Sequence, residues 1–392
     1  MIGATPWRYG NQFELLSESE RFFGRMLAAI DAARGYVLLE MYLVQSGRLA
    51  ERFIAALTAA AGRGVRVSAL LDGFGALGLR AQDRRRLIAG GVQLRLYNVL
   101  GWRKRFGNFL RNHRKLLLVD GTSAFVGGAG ITDDFAEHTS AGGPWRDLMV
   151  EIRGPVLHDW ERLFGSTWDI SNSNSISNSN NGMALAATMT PARADPGAAL
   201  PLRPCAGRVV ASAGWHRSGL ASSVVAHVGR ARRRVWLVSA YFVPSRRLRR
   251  ALRRAAHRGV DVRLLLPGSL TDHPMVRHAA HRHFGRLLRH GVHIFEYQPR
   301  VLHAKMVICD DWVSIGSSNL DRWSFTWNLE ANQEVDDHDF ANEAARVFIE
   351  DCQQSVQLDR RAWPRRGLGR RLREYLIGFI DRRIAKWPRP RL

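Results

Sequence analysis

Asn112-His113-Arg114-Lys115-Leu116-Leu117-Leu118-Val119-Asp120 and Leu302-His303-Ala304-Lys305-Met306-Val307-Ile308-Cys309-Asp310 decide how this 392-residue chain is read. Each stretch is His-x-Lys, four further residues, then Asp. Side chains alternate faces along a strand, so His and Lys two apart point the same way. The apolar run then carries the strand into a core, and the Asp falls where the strand should end. The chain holds four lysines, Lys104, Lys115, Lys305 and Lys386, among 58 Lys+Arg, and two of the four sit in these motifs. A chain that writes Arg almost everywhere writes Lys here twice, and Lys is a compact, mobile point charge.

Around each motif the same order of segments recurs. Phe22, Phe23, Met26, Leu27 and Ile30 follow helical spacing after the capping box Ser17-x-x-Glu20, and Gly35 ends that helix. A strand-length apolar run at Tyr36–Val44 follows, then a helix over Leu49–Ala61 and a strand at Val65–Leu71. A further helix through Arg80–Leu87 leads to a strand at Val92–Tyr97. Downstream, Arg233–Val243 echoes Arg34–Val44, Arg258–Leu266 echoes Arg63–Leu71, and His290–Tyr297 echoes Gly90–Tyr97. Each His-x-Lys motif occupies the next strand of its repeat. The spacing therefore predicts an internally duplicated α/β protein: two mixed-sheet domains flanked by helices, with the active site at their interface. The expected boundaries are 1–170 and 201–359 for the two repeats. A Ser/Asn-rich linker occupies 171–200, and a basic amphipathic tail 360–392.

Composition bounds the partners. At 46% hydrophobic residues the chain is globular, and its net charge of +23 calls for an acidic partner. The insert Gly101–Leu110 mixes bulky apolar and basic residues. The tail carries twelve Lys+Arg against two acids, with Leu372, Tyr375, Leu376, Phe379, Ile380, Ile384 and Trp387 at helical spacing. That is the pattern of an interfacial basic helix, and equally of a helix packed on the protein with a solvated basic rim. No apolar run reaches the roughly 20 residues that span a bilayer, and no signal-peptide pattern follows Met1, so a membrane encounter is expected to be peripheral. Three cysteines, Cys205, Cys309 and Cys352, are expected to be reduced thiols. His278, His281 and His283 cluster in an Arg-rich stretch without a His-Glu-x-x-His or paired-Cys pattern. They read as a solvated helix face, and no metal or organic cofactor is expected.

Two histidines and two lysines suit phosphoryl transfer. One imidazole attacks phosphorus, the other protonates the leaving oxygen, and the ammonium groups neutralise the phosphodiester. The arrangement resembles the phospholipase D superfamily, whose signature is the duplicated His-x-Lys-x4-Asp, and the match covers most of the chain. Gly316-Ser317-Ser318-Asn319 and Asn328-Leu329-Glu330 extend the resemblance. It implies that Asn319 contacts the phosphate beside Lys115 and Lys305, and that Glu330 orients the histidine of its own motif. Asp147, in Trp145-Arg146-Asp147, is its counterpart for His113. Gly130 stands where the family pattern has Asn, which implies an asymmetric site. Asp120 and Asp310 join His113, Lys115, His303 and Lys305 as catalytic residues on the resemblance alone; parity and reach make them structural, paired with Arg or backbone donors.

Within the superfamily the resemblance is closest to compact bacterial cardiolipin synthases without transmembrane helices, through Trp7–Asn11, Asn112–Lys115, Gly316–Asp321 and Asn328–Asn332. It implies transfer of a phosphatidyl group between two phosphatidylglycerol molecules through a phosphatidyl-histidine. It also implies work at the cytoplasmic face of the cell membrane, on an anionic lipid surface, with no nucleic-acid partner. His113 is taken as nucleophile and His303 as acid and base, with pseudo-symmetry permitting the reverse. A lipid hydrolase or nuclease of the superfamily would use the same residues, and a non-enzymatic membrane-surface protein would need none of them.

Overall fold

A computed structural model describes residues 3–101, 107–137, 143–173, 205–213, 219–321 and 327–363. The first repeat runs β1 (Arg8–Leu16), α1 (Ser19–Ala32), β2 (Tyr36–Met41), α2 (Arg48–Gly62), β3 (Arg66–Asp72), α3 (Ala81–Ala89) and β4 (Gln93–Tyr97). It closes with β5 (Lys115–Val119), β6 (Ser123–Gly127), β7 (Met149–Arg153) and α4 (Leu157–Ser173). The second repeats every step: β8 (Cys205–Ala213), α5 (Gly219–Arg230), β9 (Arg234–Ser239), α6 (Arg246–His257), β10 (Asp261–Pro267), α7 (Pro274–Arg289) and β11 (His293–Tyr297). Then follow β12 (Lys305–Cys309), β13 (Trp312–Gly316), β14 (Asn328–Asp336), α8 (His338–Gln353) and a short edge strand, β15 (Ser355–Gln357).

Both sheets have one strand order. In the first it is β4-β3-β2-β5-β6-β7-β1, with β2, β3 and β4 parallel and every other neighbour antiparallel. In the second it is β11-β10-β9-β12-β13-β14-β8, with the same directions. The duplicated mixed-sheet α/β architecture expected from the sequence is therefore observed. β1 and β8 also pair with each other, antiparallel, so the two sheets join edge to edge. Neither of these strands is foreseen by the echoing segments.

The motif strands lie in mid-sheet and are buried on both faces. Leu116 and Leu118 face a central core shared by the repeats, together with Met306 and Ile308 from the other motif. Leu117 and Val119 face the outer core under α1, α2 and α3, and Val307 and Cys309 the corresponding core under α5, α6 and α7. Burying each such side chain stabilises the fold by about 1.5–3 kcal/mol, and truncating one to Ala costs about 2–5 kcal/mol.

Three expectations change. The first helix starts at Ser19 with Glu18 as N-cap and no side-chain cap bond, so Ser17 and Glu20 form no capping box; the carbonyl of Ser17 instead accepts from Arg146. His281 and His283 are not on a solvated face: they are 1% and 7% exposed, on the packed side of α7 with Ala280, Phe284 and Leu287. Glu296, from the neighbouring strand β11, receives His281 Nε2 at 2.9 Å, which makes burial of that imidazole tolerable. Among the described residues no group of three His, Cys, Asp or Glu could hold a metal ion. The Ser/Asn tract begins inside α4, which ends at Ser173, and its remainder lies outside the described residues with the tail from 364 and insert residues 102–106.

Candidate active site

Each catalytic candidate is delivered by the start of its motif strand. Arg111–Asn112 pairs in parallel with Asn328–Leu329, and the amide of His113 donates to the carbonyl of Leu329 at 2.9 Å. On the other side Arg146 bridges to Leu302, and the amide of His303 donates to the carbonyl of Arg146 at 2.8 Å. The segment that enters β14 thus lies alongside the first motif, and the segment that enters β7 alongside the second.

This crossing settles which acid meets which histidine. Glu330 lies 3.1 Å from His113 Nδ1, and Asp147 lies 2.7 Å from His303 Nδ1. Each imidazole is held by the carboxylate of the other repeat, which corrects the expectation that Glu330 serves His303 and Asp147 serves His113. The sheet registers show why the acids are equivalent: Gly127 pairs with Met149 and Gly316 with Asn332, so Asp147 and Glu330 occupy one position in two copies. A carboxylate on Nδ1 fixes the proton there and leaves the Nε2 lone pair free. Ser317 Oγ donates to Glu330 at 2.5 Å; at the corresponding Gly128, an added Cβ would sit 2.4 Å from Asp147 Oδ1, so only glycine lets this acid approach.

The two histidines, Lys115, Gly128, Gly130 and Asn319 line one cleft of about 590 Å³, a size suited to a small-molecule or headgroup site. Lys305 lies beside it, with Nζ 2.8 Å from His303 Nδ1, and Lys115 Nζ donates to the His113 carbonyl at 2.6 Å. Asn319 Oδ1 accepts from the Tyr241 amide at 3.3 Å. Gly130 approaches Leu43, whose carbonyl would stand 2.8 Å from an added Cβ, leaving no room for a second Asn.

Burial in this cationic setting favours neutral forms. Burial first, then the field of Lys305, hold His303 down at about 4. Burial likewise lowers His113 against the pull of Glu330, and brings Lys115 down to about 7 against the same carboxylate. Glu330 stays below its ordinary range: burial opposes ionisation, but His113 and Lys115 outweigh it. An anion entering the cleft would reverse these shifts in the cationic groups.

Asp120 and Asp310 are not brought to the cleft. They end their strands at the opposite tip, at φ +53° and +54°. Asp120 accepts the amides of Arg34, Gly35 and Tyr36 at 2.7–2.8 Å, and Asp310 those of Arg232, Arg233 and Arg234 at 2.8–3.0 Å. Their placement in the active site is corrected: each carboxylate ties the end of its motif strand to the start of the adjacent strand.

Other residues of the site were not singled out from the sequence. Tyr42 stacks edge-on against His113 at 4.6 Å, with Lys115 Nζ 5.1 Å from its ring centre, and Tyr241 lies 6.3 Å from His303. Both tyrosines stood within the echoing segments just past strand ends, which was the available signal. Under His113 a buried polar set, Glu40, Asp72, Asn112 and Arg114, fixes the loop: Asn112 donates to Glu40 at 2.7 Å through its side chain and to Asp72 at 2.8 Å through its amide. His303 is flanked instead by buried Leu302 and Ala304.

Paired imidazoles with fixed tautomers, two lysines and an amide around one cleft define a phosphodiesterase or transferase of the phospholipase D type. The chain belongs to that superfamily: the family described as "Cardiolipin synthase, PLD-like domain" matches residues 26–160 and 224–352, one span for each repeat. The chain is 34% identical over 380 residues to cardiolipin synthase B of Escherichia coli K12, covering 91% of this chain and 86% of that protein. It is 33% identical over 365 residues to cardiolipin synthase A of Pseudomonas putida, covering 91% and 71%. Among solved structures, phosphatidylserine synthase of Haemophilus influenzae superposes with a TM-score of 0.70 at 13% identity, over 96% of this chain and 94% of that one. At that identity the likeness concerns the fold.

Proposed function

We propose that this protein is a cardiolipin synthase, transferring a phosphatidyl group from one phosphatidylglycerol to the glycerol hydroxyl of another. The observation that carries the proposal is the pair of imidazoles, each oriented by the other repeat's carboxylate, facing a single cleft. In this reading His113 Nε2 attacks phosphorus while His303 protonates the departing glycerol oxygen. His303, now neutral, takes the proton of the incoming hydroxyl, whose oxygen displaces His113 from phosphorus. Lys115, Lys305 and Asn319 hold the phosphoryl oxygens through both steps.

A lipid substrate is supported by the apolar part of the lining, Leu43, Phe135, Trp145, Val243, Met275 and Val276, and by the names of the relatives. Peripheral contact with the cytoplasmic face of the membrane belongs to the same proposal. Among the described residues no helix is long and apolar enough to cross a membrane. Phe74, Leu77, Val99, Leu100 and Phe109 are each 46–59% exposed. The loops after β3 and β4 that carry four of them touch at Gly73 and Val99, and in this reading their exposed side chains are the apolar surface that meets the lipid.

The test is purified protein with phosphatidylglycerol vesicles, products resolved by mass. Cardiolipin plus glycerol is expected, and neither in His113→Ala nor in His303→Ala. Phosphatidic acid alone would make the enzyme a hydrolase. Cleaved DNA with untouched lipid would make it a nuclease.

A further inference from the structure

We infer that the second-repeat wall of the cleft, built from Asp272, His273 and Tyr241, is a subsite for a 1,2-diol, the hydroxylated end of the alcohol that accepts the phosphatidyl group. The inference rests on the transferase reading above and names which alcohols that site takes. Asp272 and His273 immediately precede α7, whose first turn supplies Met275 and Val276 to the same cleft. The Tyr241 hydroxyl donates to Asp272 Oδ2, and the Tyr241 ring packs 5.2 Å from His273 and 6.3 Å from His303. The carboxylate is thereby fixed within the field of the catalytic groups, whose cationic forms it favours. Its side chain keeps 18% exposure, and Oδ1 meets Thr271 Oγ1 only at 3.5 Å, leaving acceptor capacity towards the cleft.

A carboxylate here works against an incoming phosphodiester, so its match is a neutral donor. Paired hydroxyls are the usual partner of such an acid, as when an acidic side chain reads ribose. Among the described residues the opposite wall offers no such group. Leu43, Gly128 and Gly130 line it, and Asp72 beneath accepts the amides of Phe74, Gly75 and Asn112 and is fully buried. The asymmetry assigns the acceptor to the His303 side and the phosphatidyl group to the His113 side. In the second step the acceptor's reacting hydroxyl gives its proton to His303 Nε2 and its oxygen bonds phosphorus. The phosphorus–nitrogen bond to His113 breaks, its electron pair returning to the imidazole, while the neighbouring hydroxyl stays on Asp272.

The experiment is competition between deuterium-labelled glycerol and 1-propanol for phosphatidyl transfer from unlabelled phosphatidylglycerol vesicles, with the labelled phosphatidylglycerol and the propyl ester counted by mass. A ratio of products from one tube is independent of how much enzyme is folded. The wild type should favour glycerol by at least about tenfold, and Asp272→Asn should erase most of that preference while still making the propyl ester. Tyr241→Phe, which keeps the carboxylate but frees it, should fall between. An unchanged ratio in Asp272→Asn, or no glycerol preference in the wild type, overturns the subsite. Absence of transfer to either alcohol in the wild type overturns the transferase reading instead.

Discussion

An imidazole that changes protonation state during turnover needs one nitrogen held and the other free. Glu330 and Asp147 supply the hold, across the repeat boundary, and the two histidines can be told apart by removing it. Glu330→Gln should impair attack by His113, and Asp147→Asn should impair proton delivery by His303, each lowering kcat about 10²–10⁴-fold on phosphatidylglycerol. A p-nitrophenyl phosphodiester leaves without a proton, so formation of the covalent intermediate should recover in Asp147→Asn and stay slow in Glu330→Gln. Equal recovery in both would reverse or abolish the assignment. Charge offers a second test. His303 is held down at about 4 and Lys115 at about 7, in both cases chiefly by burial. A bound anion favours their protonated forms, so binding of sulfate, which carries no proton of its own at pH 7, should take up protons. Calorimetry in two buffers of different ionisation enthalpy reads this directly, and a buffer-independent enthalpy would count against it. The residue types of the site were legible from the motifs, but the pairing was not. Spacing puts Glu330 close to His303 in the chain, and only the strand that carries Leu329 past Asn112 brings it to His113.

At the scale of elements, the Asp that closes each motif acts on architecture. Asp120 and Asp310 take a left-handed backbone conformation, which Asp tolerates better than most side chains, and turn back to accept three amides each. For Asp310, partial burial opposes ionisation, yet the three amides hold its carboxyl below the ordinary range. A carboxyl depressed in the folded state contributes stability above its unfolded value, and that contribution is lost as pH falls through the folded one. Asp310→Ala should therefore cost about 1–3 kcal/mol at pH 7, less in acid, while turnover per folded molecule persists. Denaturant melts at pH 7 and in acid, set against rates normalised to folded protein, check both halves. A loss of turnover without loss of stability would return Asp310 to the chemistry. Helices and inner strands were legible because their apolar residues recur at 3.6 or run unbroken. β8 was not: Cys205–Ala213 has Gly, Arg and Ser among small residues and gains its strand character from β14 and β1 on either side. The echo that aligned Arg34 with Arg233 also slips by one residue in the sheets, where Val37 faces Val119 and Val235 faces Cys309.

For the whole molecule, duplication did not leave two independent domains. The inner faces of both sheets, α4 and α8 contribute to one core in which Trp160, Phe164, Trp236 and Phe348 are all buried. Trp160 in the first repeat donates to Gln333 in the second at 2.9 Å, and Arg146 reaches Asp351 at 3.0 Å. β1 and β8 then extend the backbone ladder across the boundary. Separating the repeats would expose that core and leave the cross-boundary polar groups unpaired, each costing about 1–3 kcal/mol. The chain should consequently unfold in one transition, with tryptophan fluorescence and far-UV circular dichroism coinciding along a denaturant series. Trp160→Phe keeps most of the apolar volume but leaves Gln333 without its donor. It should lower the single midpoint for both repeats rather than splitting the curve. Two separated transitions, one insensitive to Trp160→Phe, would mean that each repeat is stable alone and that the cleft is assembled only by docking.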